Sequence, residues 1–401
     1  MPRACFLHRG GKGSDGNAIV IRILSVVGAR PNFMKIAPLV EALKTVPEIE
    51  HCLVHSGQHY DELLSGGFFS DLSIPHPDVN LRVGSGSHAA QTAEIMKRLE
   101  PVLMDREPKM VLVVGDVNST IAAALTAAKL GIEVAHIEAG LRSFDMTMPE
   151  EINRKLTDAI SALLFASEAG AVDNLKLEGV PSERIFLVGN IMIDSLLRHR
   201  AKARTLPILE RLGVRENGAC RPYAVLTLHR PSNVDDPTIL RNILGAVDRI
   251  AGDFPIFFPM HPRTRKQIEN FGLQFFFADK EKRRGIVPLD PLGYLDFLAL
   301  SDQARLVLTD SGGVQEETTV LGVPCLTLRE NTERPATVEQ GTNQVVGVQP
   351  ERIVAAAKAV LECPRPRAQP PAFWDGYTAP RIVAVLQEHF HREIRGGAIS
   401  Q

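Results

Sequence analysis

The sequence predicts an α/β protein built as two successive parallel-sheet units that face each other across a cleft. Three observations carry this reading. Apolar strands alternate with helically spaced segments from Ile19 onward, the alternation restarts after a polar stretch at 195–222, and the strands end in polar turns. Alternation of this kind implies right-handed crossovers and parallel pairing. The chain has 401 residues, too many for one ordinary core, so two domains are expected on length alone.

Taken in order, residues 1–19 contain the Gly-rich polar run "GGKGSDGN" and read as a flexible tail. "IVIRILSVVG" is a strand buried on both faces, followed by the helical spacing of "MKIAPLVEALKTV" and the strand "HCLVHSG". "AAQTAEIMKRLEPVLMD" is a helix, "MVLVVGD" a strand, "STIAAALTAAKLG" a helix that stops at Gly131. "IEVAHIEAG", "LLFASE" and "RIFLVGN" are strands, with the helix "EEINRKLTDAI" after the first of them. The second unit offers the strands "YAVLTLH", "PIFFPMH", "GIVPLD", "RLVLTD" and "VPCLTLR". The expected division is 20–194 for the first unit and 195–378 for the second. A C-terminal helix at about 379–395 is expected to pack back on the first unit.

Composition excludes several classes. With 45 basic and 47 acidic residues, formal net charge is -2. No global field draws the chain to nucleic acid or an anionic membrane. An anionic ligand must therefore be held by a few local cations. The five cysteines, Cys5, Cys52, Cys220, Cys325 and Cys363, are scattered without a CxxC pair. Neither a disulfide framework nor a zinc site is suggested, and a reducing cytoplasm fits. The start has no long apolar stretch and does not read as a signal peptide. No apolar run approaches the roughly 20 residues needed to span a bilayer.

In open parallel sheets ligands bind beyond the carboxyl ends of the strands. Strand one ends in "GARPNFMK", where Arg30 and Lys35 flank a helix start. That is either an anion site or a solvated helix start. Gln58 and His59 end the next strand, as ligand contacts or loop residues. Asp116 follows a strand and would serve equally as a helix cap. Glu138 ends a strand and Arg142 follows it. Glu150 and Glu151 open a helix, a position the dipole alone favours. Carboxylates gathered at one sheet edge are expected to raise each other's pKa, as proton transfer at carbon near neutral pH requires.

In the second unit His229-Arg230 and His261-Pro262-Arg263 repeat a strand-end pattern without metal-ligand spacing, so they read as ligand contacts and no metal is expected. "LVLTDSGGVQEE" places Ser311, Gly312 and Gly313 between a strand and a helix. No GK[ST] and no GxGxxG are present. The stretch reads as a diphosphate site with Glu317 toward a ribose, or as a tight turn. "RENTERPATVEQGTN" is too long for a minimal connection and reads as a functional loop over the cleft.

"GARPNFMKIAPL", "GQH", "GDVNST", "HIEAGLRS", "PEEINR", "LHRPSN", "LTDSGGVQEE" and "TERPATVEQGTN" occur in this order. Together they resemble the non-hydrolysing UDP-N-acetylglucosamine 2-epimerases, from about Ile21 to near the C-terminus. The resemblance implies a GT-B architecture of two Rossmann-like domains, a cytoplasmic homodimer, and no metal or nicotinamide. It implies interconversion of UDP-GlcNAc and UDP-ManNAc for surface polysaccharide synthesis, by loss of UDP to 2-acetamidoglucal and its re-addition. It assigns Asp116, Glu138, Glu150 and His229 to catalysis. It matches Arg30, Lys35, Ser311, Gly312 and Glu317 to UDP contacts, to which the strand-end reading adds Arg142, His261 and Gly313 for UDP or its sugar. Gln58, His59 and Arg334 match the family's second, allosteric UDP-GlcNAc site. The chain departs from some members at Asn32 and at the "HRPS" of 229–232. A hydrolysing epimerase and a GT-B glycosyltransferase are the alternatives.

Overall fold

The computed structural model describes residues 20–57, 76–252, 254–277, 284–363 and 369–397. Strands β1 (Ile21–Val27), β2 (Ile49–His55), β3 (Val79–Asn80), β4 (Met110–Val114), β5 (Glu133–Ala139), β6 (Leu163–Ala166) and β7 (Ile185–Leu187) form one sheet in the order β3-β2-β1-β4-β5-β6-β7. After a short antiparallel pair, β8 (Arg215–Glu216) and β9 (Ala219–Cys220), six strands make the second sheet. These are β10 (Ala224–Thr227), β11 (Pro255–Pro259), β12 (Gly285–Leu289), β13 (Leu306–Thr309), β14 (Cys325–Thr327) and β15 (Asn343–Val345), ordered β12-β11-β10-β13-β14-β15. Both sheets are parallel throughout.

The apolar runs explain the strands. Every residue of "MVLVV" in β4 and of "LVLT" in β13 is buried, as central parallel strands covered on both faces require. The helix Asn118–Lys129 presents Ala122, Ala123 and Ala124, all fully buried, so its backbone lies close to the sheet. Strand order reverses between β1 and β4 in the first sheet and between β10 and β13 in the second. Those switch points are where such sheets open a crevice.

The junction differs from the expected boundary. Residues 195–203 belong to the helix Ile191–Ala203, whose Ile191, Ile193 and Leu196 are buried. It packs on the helix Arg30–Leu43 of the first unit and on the helix Tyr294–Asp302 of the second. The expected boundary therefore falls inside a packed helix: Ser195 and His199 are buried in it, its Arg200 pairs with Asp302 at 2.8 Å, and Arg204, just past its end, pairs with the other oxygen of that carboxylate. The C-terminal helix Thr378–Gly397 lies on the helix Arg30–Leu43, with Ile382 and Leu386 buried. Its Gln387 and His389 reach Glu48 and Glu133 of the first unit. Among the described residues no helix is long and apolar enough to cross a membrane.

Candidate active site

Both switch points carry the chemistry. In the first sheet, the helix that follows β1 brings Lys35, Gly115-Asp116 follow β4, and Glu138 lies near the end of β5. Glu138 has φ of 73°, the left-handed region that a side chain rarely adopts. The β5–β6 register slips between Ile137 and Ala139 at this point. Such a bulge re-aims a side chain out of the regular alternation, here toward the cleft. Lys35 Nζ donates to Glu138 Oε2. Gly115 makes room for this contact, since a Cβ there would lie 3.3 Å from Asn32 Nδ2 and 3.6 Å from Lys35 Nζ.

The other oxygen of Glu138 accepts from Arg334 Nη2, which comes from the second unit. Arg334 Nε forms a close ion pair with Glu316, on the helix Gly312–Leu321, although the angle does not suit a hydrogen bond. One buried guanidinium thus joins carboxylates of both units across the cleft. The loop that carries it is tied down: Thr332 donates to Gln315 at 2.6 Å, and Arg329 pairs with Glu333 at 2.7 Å. Arg230 reaches the same Glu333 at 3.1 Å.

The expected net rise does not occur at Asp116 and Glu138, although Asp116 does push Glu138 upward. Burial alone would raise Glu138, but Lys35 and Arg334 outweigh it and hold the group below the ordinary value. Burial is likewise outweighed at Asp116 by Arg154, whose Nη2 donates to it, and by Lys35. The raised carboxylates lie elsewhere. Burial pushes Glu317 up to about 7, and it pushes Glu168, behind β6, to about the same value.

Glu150 is half-buried on the first turn of the helix Pro149–Ile160, with no hydrogen-bond or ion-pair partner among the described residues. Its neighbour Glu151 is structural. It is buried and accepts from the amides of Ser143 and Phe144 and from Arg154. Arg142 must be corrected. Its side chain is fully buried beneath the site and committed to Asp158 at 2.7 Å and to both oxygens of Glu178, at 2.9 and 2.6 Å. A guanidinium with those partners does not reach a ligand.

In the second unit, His229 follows β10 with its side chain 43% exposed. Asp310, at the end of β13, is fully buried and fixes it: its carboxylate meets His229 Nδ1 at 2.9 Å and accepts the amides of His229 and Arg230. Nε2 is left facing away from that anchor. Asp310 was passed over in the sequence because it reads as the ordinary last residue before a turn. His261 is exposed just past the end of β11, and its Nδ1 accepts from the Arg263 amide at 3.2 Å, capping the helix Pro262–Asn270. As at His229, a bond through Nδ1 is compatible with a ligand contact through the rest of the ring.

Ser311 is the N-cap of the helix Gly312–Leu321, and its side chain makes no capping bond. Neither Gly312 nor Gly313 has a positive φ, so the turn itself does not demand glycine. Space does: a Cβ on Gly312 would stand 3.2 Å from Glu333 Oε1, while one on Gly313 would meet only Met192 Cε, at 3.8 Å. The helix start beside Gly313 is therefore open to an approaching group. Glu317 lies one turn further along, buried against Tyr294. Of the remaining candidates, Gln58 and His59 lie outside the described residues, and only the backbone of Arg30 is described, at the start of its helix.

Comparison with known proteins converges on one family. The family described as UDP-N-acetylglucosamine 2-epimerase matches residues 41–387. The chain is 42% identical over 370 residues to the UDP-N-acetylglucosamine 2-epimerase of Methanocaldococcus jannaschii, covering 91% of this chain and 99% of that protein. It is equally 42% identical, over 344 residues, to the UDP-2,3-diacetamido-2,3-dideoxy-D-glucuronate 2-epimerase of Pseudomonas aeruginosa, covering 85% and 92%. A crystal structure of the M. jannaschii enzyme in complex with UDP-GlcNAc and UDP superposes with a TM-score of 0.83 at 41% identity, covering 92% of this chain and all of that one. The two parallel-sheet units described above are a GT-B architecture, consistent with that similarity. The chain belongs to the UDP-N-acetylglucosamine 2-epimerase family.

Proposed function

We propose that the chain interconverts UDP-GlcNAc and UDP-ManNAc without hydrolysing them, through elimination and re-addition of UDP. The observation that carries this reading is the Glu138–Arg334–Glu316 bridge. It sets the carboxylate-bearing strand ends of the first unit over the open helix start of the second. UDP would lie along that helix, with its diphosphate at Ser311–Gly313 and its ribose at Glu317. The sugar would then project toward Asp116, Glu138 and Glu150.

Hydrogen at C2 of the sugar is not activated by a carbonyl. In the proposed first half-reaction, a carboxylate takes that proton while the C–H electrons form the C1–C2 double bond. The C1–O bond breaks, and UDP leaves with its electron pair. In the second, a carboxylate on the opposite face returns a proton to C2, and a UDP oxygen closes on C1. Two acid–base groups on opposite faces are needed. Glu138, held ionised, and Glu150, which has no partner among the described residues, are suited to divide these roles. His229, braced by Asp310, would turn Nε2 to the diphosphate that departs and returns. Arg334 holds Glu138 as well as the loop, so its part is not confined to a second nucleotide-sugar site.

The P. aeruginosa relative favours a second reading, in which the sugar carries a 3-acetamido group and a C6 carboxylate. Incubation with each UDP-sugar and no acceptor tests both. The proposed function expects the UDP-linked 2-epimer of GlcNAc with no free sugar or free UDP accumulating. Free ManNAc would indicate the hydrolysing reaction, and turnover of only the diacetamido uronate would indicate the second reading.

A further inference from the structure

Beneath the strand ends lies a buried polar network that no step above uses. His136, on β5 two residues before Glu138, is fully buried. Its Nε2 lies 2.8 Å from the carbonyl of Gly115, the residue before Asp116. Its Nδ1 lies 2.6 Å from Asp158 Oδ1. Asp158 is on the helix Pro149–Ile160, which also carries Glu150 and the Arg154 that pairs with Asp116. The second oxygen of Asp158 accepts from the Gly140 amide at 3.1 Å and meets Arg142 at 2.7 Å. Arg142 is held in turn by Glu178.

The three elements that this network joins are the three that present carboxylates to the cleft. The Gly115 carbonyl and the Asp158 carboxylate are both acceptors. Both contacts can be hydrogen bonds only if the His136–Asp158 pair keeps one proton between Nδ1 and Oδ1 while Nε2 carries another. An unsatisfied buried acceptor would otherwise result. Gly115 is already constrained by its φ of 70° and by the contacts around Lys35. A bond to its carbonyl therefore fixes the plane of the Gly115–Asp116 peptide, and with it the direction of the Asp116 side chain.

We infer that His136 is a positioning residue: bonded on both ring nitrogens, it locks the ends of β4 and β5 and the helix Pro149–Ile160 in one register, so that Asp116, Glu138 and Glu150 meet the sugar in reactive geometry. This rests on the proposed function for what those carboxylates do. The network touches no atom of the proposed UDP site, which belongs to the second unit. It should therefore govern turnover and not nucleotide affinity.

The test compares His136→Gln, Asp158→Asn and Asp158→Ala with the wild type. An asparagine at 158 can donate to His136 Nδ1, leaving the Nε2 proton for Gly115, so geometry survives while the shared proton is lost. His136→Gln and Asp158→Ala should lower kcat about 10- to 100-fold, the scale of a misplacement near 1 Å, with KM and the Kd for UDP within about twofold. Asp158→Asn should recover most of the loss. A folded His136→Gln with wild-type kcat, or Asp158→Asn as impaired as Asp158→Ala, overturns the inference. Should His136→Gln not fold, 15N-histidine NMR of the wild type decides: one ring with both N–H protons slowly exchanging supports the inference, and rapid exchange at His136 overturns it. Wild-type protein inactive on both UDP-sugars would sink the proposed function instead, and the NMR readout would still stand alone.

Discussion

Two groups of acids face each other across this cleft, and the fold treats them oppositely. On the first unit, Asp116 and Glu138 stand at strand ends beside Arg154, Lys35 and Arg334, and the cations win over burial. On the second, Glu317 lies inside a helix against Tyr294 and beside Glu316, and burial pushes it up to about 7. The contrast teaches that a carboxylate's neighbours, and not the number of carboxylates nearby, decide its charge. It also separates roles. Ionised groups at the sheet edge suit proton transfer at the sugar. A nearly neutral, buried acid suits a hydroxyl-bearing ligand that completes its hydrogen bonding.

The sharpest way to break the comparison is to remove charge from the first group. Glu138→Gln keeps the shape but ends the pairing with Lys35 and Arg334. Turnover should fall roughly two to four orders of magnitude, as for other positioned acids and bases, while UDP affinity changes little by calorimetry. An equal loss in UDP affinity would merge the two groups into one binding site.

The complementary change is Glu317→Ala, which should weaken UDP binding by about one to two powers of ten, from the loss of bonds each near 1.5–3 kcal/mol. Unaltered UDP binding would remove the ribose assignment.

A pH titration sharpens the contrast further. Bound ribose hydroxyls would favour ionised Glu317, so binding should expel a proton from a group near 7. UDP affinity should then rise with pH and level off above about 7, by about tenfold for each unit below it. Glu317→Gln should remove this component and leave only that of the phosphate. Without UDP the sign reverses for stability. A carboxyl raised on folding stabilises fully at pH below its unfolded value, and that contribution is lost as pH climbs through 7. The smallest effect is expected at Gly313→Ala. The space around its Cβ is open in the protein, so the melting temperature should hold while UDP binding weakens a few-fold. Unchanged binding would mean that the diphosphate does not approach there.

The strands, their parallel order and most strand-end residues were legible because buried parallel strands are contiguous apolar runs that stop at polar residues. What remained hidden depended on tertiary distance. Arg334 and Glu138 are 196 residues apart, and their pairing exists only once the two units face each other. Asp310 and His229 meet because β10 and β13 are neighbours, which one sequence does not reveal. Arg142 was misread because its place after a strand end suggested exposure, whereas Asp158 and Glu178 draw it inward. The expected boundary at 195 falls inside the helix Ile191–Ala203, because its charged residues run on without a break into the polar stretch that follows and only burial of Ser195, Leu196 and His199 tells the two apart.

Elimination and re-addition make one demand that no alternative chemistry at this site shares in full: the hydrogen at C2 must leave the sugar and be replaced from solvent while UDP stays available to return. Epimerisation of UDP-GlcNAc in heavy water, followed by NMR, tests this directly. UDP-ManNAc carrying deuterium at C2 is the predicted product; UDP-ManNAc formed with its original C2 hydrogen would contradict the account.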